Sequence, residues 1–236
     1  MPDSDFTNFK TALIVGAGSG LSAALARTLA GTGLKVALAA RTTDDLAPLQ
    51  REIGAQVFAC DASKNGDVEG LFAALDKGFG VPDIVIYNAS ARARGPLVEL
   101  VPAEVEKAIA VSAFGGFLVA QQAVRRMLRN QRGVFVFTGA SASVKGYAQS
   151  APFAMGKFAL RGLAQSMARE LAPQGIHVAH VVIDGGIKSA TRPDPPDRPA
   201  SLLDPAAIAE SYLHLIRQPR SAWAWEIEVR PWVEKF

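Results

Sequence analysis

The chain of 236 residues is 49% hydrophobic and 20% charged, and it carries a formal net charge of +3. This composition excludes an intrinsically disordered chain and suffices for one large buried core. The small, scattered positive charge gives no reason to expect a nucleic-acid partner. One cysteine, Cys60, excludes an internal disulfide bond and is typical of a reducing compartment, and no stretch approaches the roughly 20 apolar residues that span a bilayer. We therefore expect a cytoplasmic protein without a membrane partner.

Seven short apolar runs, rich in β-branched residues, predict β-strands, and segments of helical period lie between them. The predicted strands cover residues 11–15, 35–39, 56–59, 83–87, 133–138, 177–183 and 226–230. Because these strands are apolar along nearly their whole length, both faces of the sheet are expected to be buried. The predicted fold is therefore α/β, a single-domain Rossmann-type doubly wound sheet of about seven mostly parallel strands with helices on both faces.

Two segments are predicted to lie outside this alternation. Residues 1–9 are expected to form a flexible N-terminal tail, so that residues 10–236 make up the single domain. Residues 191–200 contain too many prolines for a helix or a central strand, and they are predicted to form a loop.

A glycine-rich turn follows the first predicted strand. Gly16, Gly18 and Gly20 surround Ser19, and a helix is predicted to begin at Leu21. Glycines at a strand-to-helix turn allow the backbone to approach a pyrophosphate, whose charge is stabilised by the free N–H groups and the dipole of the helix N-terminus. These five residues are therefore candidate contacts of a dinucleotide, although such a turn also occurs for structural reasons alone.

The end of the second predicted strand indicates which dinucleotide would bind. An acidic residue there would hydrogen-bond the ribose hydroxyls of NAD(H) and repel a 2′-phosphate, but this chain has Arg41 near that end. A guanidinium is suited to a phosphate dianion. NADP(H) is therefore the preferred cofactor and NAD(H) is possible, while the alternative for Arg41 is an ordinary solvated arginine.

Further motifs follow the third, fourth and sixth predicted strands. They contain Asp61 with Ala62, Asn88 with Ala89, and Gly185 with Ser189. In this order, and with the glycine turn, they resemble the short-chain dehydrogenase/reductase family; the departures from its pattern are Val15, Ser22 and Asp184. The resemblance implies that these motif residues contact NADP(H), with Asp61 at the adenine and Ser189 at the nicotinamide amide. It also implies a small-molecule carbonyl or alcohol substrate and a homodimer or homotetramer.

The family's catalytic residues are an asparagine, a serine, a tyrosine and a lysine four residues after the tyrosine. Lys157 matches the lysine, which in the family holds the nicotinamide ribose and lowers the pKa of the tyrosine, but Phe153 occupies the tyrosine position. Ala140 occupies the serine position with Ser141 beside it, and Ser112 stands at the asparagine position. The chain thus resembles a subgroup with phenylalanine in place of tyrosine. The candidate catalytic residues are Lys157, Ser141, Phe153 and Ser112.

Phenylalanine has no titratable proton, so another group would have to supply one. Tyr147, in the loop after the fifth predicted strand, is a candidate if that loop folds inward, and ordered water is another. Arg92 and Arg94 are either solvated loop residues or contacts of an acidic substrate. The remaining candidates for metal binding, His177 and His180, are three apart on a predicted strand and point to opposite faces, so no metal site is expected.

Two functions remain in consideration. The first is an NADP(H)-dependent oxidoreductase that transfers a hydride between the coenzyme and a carbonyl or alcohol by an altered proton route. The second is a non-catalytic NADP(H)-binding sensor or scaffold module, which explains the missing catalytic groups without any replacement.

Overall fold

The computed structural model describes residues 6–235 and has the predicted α/β architecture. The strands are β1 (Thr11–Val15), β2 (Lys35–Ala40), β3 (Gln56–Ala59), β4 (Ile84–Tyr87), β5 (Gly133–Thr138), β6 (Ile176–Ile183) and β7 (Glu226–Val229). The helices are α1 (Leu21–Gly31), α2 (Ala47–Ile53), α3 (Asn65–Gly78), α4 (Pro102–Ile109), α5 (Gly115–Asn130), α6 (Ala151–Leu171) and α7 (Pro205–Ile216). Within the described part of the chain, every helix is too short or too polar to cross a bilayer.

The seven strands form one sheet in the order β3-β2-β1-β4-β5-β6-β7, and all neighbouring strands are parallel. The chain order reverses between β1 and β4. At such a reversal the connections leave the sheet toward opposite faces, which opens a crevice at the carboxyl ends of the strands. The fold therefore creates a ligand crevice at the ends of β1 and β4, next to the glycine turn.

Both faces of the sheet are covered by helices. On one face α1 and α7 pack against apolar side chains that include Ile14, Ile86 and Val136. On the other face α3, α5 and α6 pack against the alternate side chains, such as Phe135 and Phe137. This burial of alternate residues on two apolar layers explains why the central strands are mostly hydrophobic. The edge strands β3 and β7 are partly exposed and contain polar residues.

The predicted strand bounds differ from the observed ones by at most one residue. β2 extends one residue further, β4 begins one residue later, β6 begins one residue earlier and β7 ends one residue earlier than expected. The proline-rich residues 191–200 form turns with an isolated bridge at Arg192, and no regular helix or strand.

Residues 6–9 belong to the packed domain, which corrects the prediction of a flexible tail at residues 1–9. Phe6–Asn8 form a turn of 3-10 helix, and Phe9 is buried. The rings of Phe6 and Phe9 lie 6.0 Å apart, and the guanidinium of Arg217, at the end of α7, lies 4.8 Å from the Phe6 ring. The aromatic pair therefore packs on the domain, whereas the predicted flexibility of residues 1–5 lies outside the described residues.

The C-terminal tryptophans pack in different ways. Trp223 stacks on His177 with 4.8 Å between the ring centroids, and Trp225 lies under the guanidinium of Arg161 at 5.5 Å. Trp232 is 72% exposed. Two of the three tryptophans therefore close the edge of the domain at β6 and β7, and only Trp232 of the three offers a large exposed surface.

Candidate active site

The glycine turn after β1 has one glycine that the fold requires and two that leave open space. Gly16 has a φ of +86°, and a Cβ atom there would lie 2.3 Å from the backbone nitrogen of Ala89. A Cβ atom at Gly18 or Gly20 would have no neighbour within 4 Å. Gly20 is the N-cap of α1, and no side chain caps this end of the helix. The start of α1 is therefore uncapped and lies beside open space at Gly18 and Gly20, an arrangement that suits a phosphate anion.

Ser22 and Asn88 hold the glycine turn in place. Asn88 donates from Nδ2 to the carbonyl oxygen of Gly16 at 3.3 Å and to Oγ of Ser22 at 2.9 Å. Ser22 is buried and donates its hydroxyl to the same Gly16 carbonyl at 2.9 Å. The serine that replaces the family's glycine is thus small enough for close packing and adds a hydrogen bond. In the sequence, only the position of Ser22 in the glycine turn indicated that it belongs to the site.

A cavity of about 280 Å³ lies beside the turn at the ends of β1, β2 and β3. It brings together the predicted cofactor residues Gly16, Arg41, Asp61, Ala62, Asn88 and Ala89. The hydroxyl of Ser63 donates to the Asp61 carboxylate at 2.7 Å, and this bond is the main reason why the pKa of Asp61 is lowered. Arg41 is exposed and contributes to the same lowering. The cavity therefore combines a carboxylate and a guanidinium at the end of β2 and β3.

A larger cleft of about 780 Å³ continues past Asn88 toward the ends of β5 and β6. Its walls include the predicted residues Leu21, Asn88, Ser141, Phe153, Lys157 and Gly185. Five predicted residues line neither this cleft nor the smaller cavity, namely Gly18, Ser19, Gly20, Ser112 and Ser189. The fold thus joins the glycine turn to most of the candidate catalytic residues in one continuous crevice.

Lys157 lies at the base of this cleft, on α6. Its side chain is buried, and Nζ donates to the backbone oxygen of Thr138 at 2.6 Å. Tyr212 donates its hydroxyl to Oγ1 of Thr138 at 2.9 Å, so this threonine is fixed from two sides. Burial lowers the pKa of Lys157 to about 7, and the positive charge of Arg92 acts in the same direction. Near neutral pH, both protonation states of Lys157 are therefore populated.

Phe153, one turn before Lys157 on α6, is covered by a cation. The guanidinium carbon of Arg92 lies 3.9 Å from the centroid of the Phe153 ring, and Nζ of Lys157 lies 5.8 Å from it. Burial lowers the pKa of Arg92, and Arg94 contributes to the lowering. Both arginines line the cleft and are exposed to solvent, so they are solvated loop residues that also form part of its wall. In the sequence, only the position of the two arginines shortly after Asn88 indicated that they border the cleft.

The serines near the cleft have different surroundings. Ser141 begins a 3-10 turn (Ser141–Ser143), is partly exposed and lines the cleft. Ser143 is fully buried, and its Oγ accepts the backbone N–H of Ala140 at 3.1 Å. Of these two serines, Ser141 is therefore the one that can contact a bound molecule.

Ser112 lies behind the cleft wall, in a π-helical segment (Ala110–Phe114) between α4 and α5. It is fully buried, and its Oγ accepts the backbone N–H of Ala91 at 3.1 Å and donates to the Ala91 oxygen at 3.3 Å. Because its hydroxyl is occupied by these two bonds, Ser112 does not face the cleft. It holds the backbone next to Arg92 and lines neither cavity, whereas its catalytic role stays a prediction.

Tyr147 reaches the cleft, as its loop position allowed. It lines the wall and is 46% exposed. Lys145 donates to a carboxylate oxygen of Asp184 at 3.3 Å, and its Nζ lies 5.9 Å from the Tyr147 ring. Hydrogen bonds to Asp184 and then to Tyr147 raise the pKa of Lys145. The loop after β5 is thus connected to the end of β6 through this lysine.

The segment after β6 places Gly185 and Ser189 differently. Gly185 has a φ of +149°, and a Cβ atom there would lie 2.7 Å from Cδ of Pro231, so the close approach of the chain end requires glycine. Ser189 is exposed, pairs with Arg192 through the backbone and has its hydroxyl 3.2 Å from that of Thr191. Gly185 is therefore in the cleft wall, whereas Ser189 lies outside it.

The histidines of β6 point to opposite faces, as their spacing predicts. Nε2 of His177 lies 2.9 Å from the backbone oxygen of Ala224, and Nδ1 of His180 lies 2.9 Å from the Glu226 carboxylate. Burial lowers the pKa of His180 to about 4, against the opposing effect of Glu226. Across residues 6–235, no three His, Cys, Asp or Glu side chains cluster as a metal site would require.

Known proteins resemble this chain over nearly its whole length. Residues 10–196 match the short chain dehydrogenase family. An uncharacterised oxidoreductase of Staphylococcus aureus is 30% identical over 228 residues, which are 94% of this chain and 97% of the relative.

Solved structures agree with this relationship. A short-chain dehydrogenase from Rhodopseudomonas palustris is 35% identical with a TM-score of 0.81, covering 94% of this chain and 99% of that one. An alcohol dehydrogenase from the archaeon Thermococcus sibiricus, complexed with 5-hydroxy-NADP, is 26% identical with a TM-score of 0.84, covering 96% and 98% of the two chains. The family match over residues 10–196, with the crevice geometry described above, shows that the chain belongs to the short-chain dehydrogenase family.

Proposed function

We propose that the protein is an NADP(H)-dependent oxidoreductase that interconverts a carbonyl and an alcohol on a small molecule, by a proton route that does not use a tyrosine at position 153. The observation that carries this proposal is the continuous crevice from the glycine turn to Lys157. A relative of known structure, the Thermococcus sibiricus alcohol dehydrogenase, was solved with an NADP derivative, which supports the same coenzyme here.

The residues present fit a nicotinamide dinucleotide. Open space at Gly18 and Gly20 and the uncapped start of α1 suit a pyrophosphate, and Arg41 suits a 2′-phosphate. Ala62, Asn88, Ala89 and Gly185 would line the rest of the coenzyme, while Ser189 would need to move to contribute. Arg41→Asp is expected to weaken NADPH binding at least about tenfold while affecting NADH much less, because the carboxylate repels a 2′-phosphate. If calorimetric titration shows unchanged NADPH affinity in Arg41→Asp, the proposed preference for NADP(H) over NAD(H) is contradicted.

The bound coenzyme would supply a hydride to the carbonyl carbon or accept one from the alcohol. In the reducing direction the carbonyl oxygen takes up a proton as its double bond to carbon breaks. Lys157 can hold and release this proton near neutral pH because its pKa lies at about 7, and the Ser141 hydroxyl can orient the oxygen. The proton would therefore pass from Lys157, directly or through water, to the substrate oxygen.

The activity is tested by NADPH turnover against aldehydes, ketones and quinones, with Lys157→Met as the inactive comparison. We expect turnover by the natural protein and a loss of at least about 100-fold in the variant, the contribution typical of general acid catalysis. Complete inertness of the natural protein with tight NADPH binding would favour the alternative, a non-catalytic NADP(H)-binding sensor or scaffold module. Phe153 and Ala140, neither of which has a polar side chain, favour that alternative.

We also propose that the protein forms a homodimer or homotetramer. Phe114 and Phe117 stack with 6.0 Å between their centroids and are 51% and 40% exposed, and Phe158 is 45% exposed. These aromatic side chains at α5 and α6 would be buried in an interface between copies. Light scattering of the purified protein measures the mass of the assembly. A monomer at micromolar concentration would contradict the proposed homodimer or homotetramer. The cytoplasmic location expected from the single cysteine stays a prediction.

A further inference from the structure

The cleft beyond the coenzyme crevice has more positive than negative charge. Four basic and two acidic side chains line it: Arg92, Arg94, Lys157, Arg192, Asp184 and Glu234. Asp184 is already paired with Lys145 at 3.3 Å and with Arg230 at 4.0 Å. Its charge is therefore compensated within the wall, and the cleft retains a positive potential that favours an anion.

Arg92 and Arg94 have no carboxylate partner among residues 6–235. One of them, Arg92, is stacked on Phe153 at 3.9 Å, where burial and the second arginine disfavour its charged form. Two neighbouring guanidinium groups and a partly desolvated lysine repel one another when no counter-ion is present. An anion between them would relieve this repulsion and form charge-assisted hydrogen bonds.

The loop that carries both arginines is fixed by the surrounding structure. The N–H of Asn88 donates to the oxygen of Val15 at 2.8 Å, and Ser112 binds both backbone groups of Ala91. The N–H of Gly95 donates to the oxygen of Gln149 at 3.2 Å. Because the loop is tied at its start, middle and end, the backbone that carries the arginines is held in place before a ligand arrives, which reduces the entropy lost on binding.

The position of the arginines separates them from the phosphate sites of the coenzyme. Arg41 and the glycine turn border the 280 Å³ cavity, whereas Arg92 and Arg94 line the 780 Å³ cleft together with Phe153 and Lys157. We propose that Arg92 and Arg94 bind an oxyanion of the substrate, a carboxylate or a phosphate, next to the reacting carbonyl. The substrate class is then an oxo acid or a phosphorylated ketone with its corresponding alcohol, and this inference rests on the proposed oxidoreductase function.

The test compares matched charged and neutral ligands by calorimetric titration. The pairs are 4-oxopentanoate with its methyl ester, and dihydroxyacetone phosphate with dihydroxyacetone, each added to the protein alone and to the protein saturated with NADP⁺. We expect one anion or both to bind at least about tenfold more tightly than the neutral partner. A preference in the first pair only identifies a carboxylate site, and a preference in the second pair only identifies a phosphate site.

Variants locate the site. Arg92→Gln and Arg94→Gln are each expected to remove most of the preference for the anion, while NADP⁺ binding stays unchanged. The control Arg51→Gln, which removes an exposed charge on α2, is expected to retain the preference for the anion. Equal binding of charged and neutral ligands, no binding of either anion in the millimolar range, or a preference that survives Arg92→Gln overturns the proposal. If NADP⁺ fails to bind, the oxidoreductase proposal fails, but the titrations of the protein alone still decide whether the arginines hold an anion.

Discussion

The guanidinium of Arg92 lies 3.9 Å from the centre of the Phe153 ring, so a cation covers the aromatic residue one helical turn before Lys157. Such a contact stabilises by about 0.5–2 kcal/mol, depending on how far the cation is desolvated. Phe153 is itself buried. Its ring therefore serves as a surface on which Arg92 is held near Lys157, whose Nζ lies 5.8 Å from the same ring.

A phenol introduced at position 153 is expected to add activity. In Phe153→Tyr the ring keeps its place near Lys157, whose Nζ lies 5.8 Å from the ring centroid, and gains a titratable proton. General acid catalysis contributes about 10²–10⁴-fold to the rate, so we expect NADPH-dependent ketone reduction to rise at least about tenfold. Steady-state kinetics with a neutral ketone measure the change.

The control for this experiment is Phe153→Leu, which removes the ring and adds no hydroxyl. This variant is expected to leave the rate of ketone reduction unchanged or to lower it, because the aromatic ring against which Arg92 packs is lost. Equal rates for the tyrosine variant and the natural protein would mean that position 153 does not contact the reacting oxygen.

Two glycines of the same turn are expected to respond differently to alanine. In Gly16→Ala a Cβ atom would lie 2.3 Å from the Ala89 nitrogen at a φ of +86°, so the free energy of unfolding should fall by more than about 2 kcal/mol. In Gly18→Ala the new atom has no neighbour within 4 Å, so stability should change by less than about 0.5 kcal/mol. NADPH affinity should nevertheless fall at least about tenfold in Gly18→Ala, because the methyl group occupies space for the pyrophosphate.

Urea unfolding and coenzyme titration measure these two effects separately. Gly18→Ala is the informative variant, because it keeps the fold and alters only the open side of the turn. Full NADPH affinity in a stable Gly18→Ala protein would show that the coenzyme does not bind against this glycine.

The sheet could be predicted from the sequence because its cause is local. Residues 133–138 and 177–183 are mostly apolar, with Thr138, His177 and His180 as the polar exceptions, and a strand buried on both faces by helices favours this pattern. The turn at Gly16 was predictable for the same reason, since glycine spacing directly after a strand is a local signal.

The residues of the cleft wall could only be predicted in part, because contacts between segments distant in sequence determine which side chains face the cleft. Nothing near Ser112 in sequence indicates that its hydroxyl holds Ala91, 21 residues away. The choice between Ser141 and Ser143 depends on a 3-10 turn that buries one hydroxyl and exposes the other. Phe9 was assigned to a tail because chain ends often fray, but its burial depends on a pocket formed by the rest of the domain.

Removing the Ser112 hydroxyl is expected to weaken both the fold and the arginine loop. Ser112→Ala leaves the buried N–H and oxygen of Ala91 without their partner, which costs about 1–3 kcal/mol of stability. Because Ala91 adjoins Arg92, affinity for an anionic ligand should also fall, by several-fold. Urea denaturation and calorimetry measure the two effects.

Ser166→Ala on the exposed side of α6 is the matched control and should change neither quantity. A Ser112→Ala protein with lowered stability and unchanged anion affinity would mean that Ser112 supports the fold without positioning Arg92.

The stability of the coenzyme-free protein is expected to depend on pH through Lys157. Burial lowers its pKa from 10.5, the ordinary value that it would have in the unfolded chain, to about 7 in the folded one. Between these two values the unfolded chain binds a proton that the folded chain does not, so the free energy of unfolding contributed by this group rises with pH. The penalty for burying the charged lysine is fully present below about pH 7 and is relieved as the pH approaches 10.5. Lys157→Met keeps the length of the side chain and cannot titrate, so the stability of the natural protein relative to this variant should increase from pH 7 to pH 10 in urea unfolding. A constant difference across this range would mean that Lys157 keeps its ordinary pKa in the folded protein, and it could not then serve as a proton source near neutral pH.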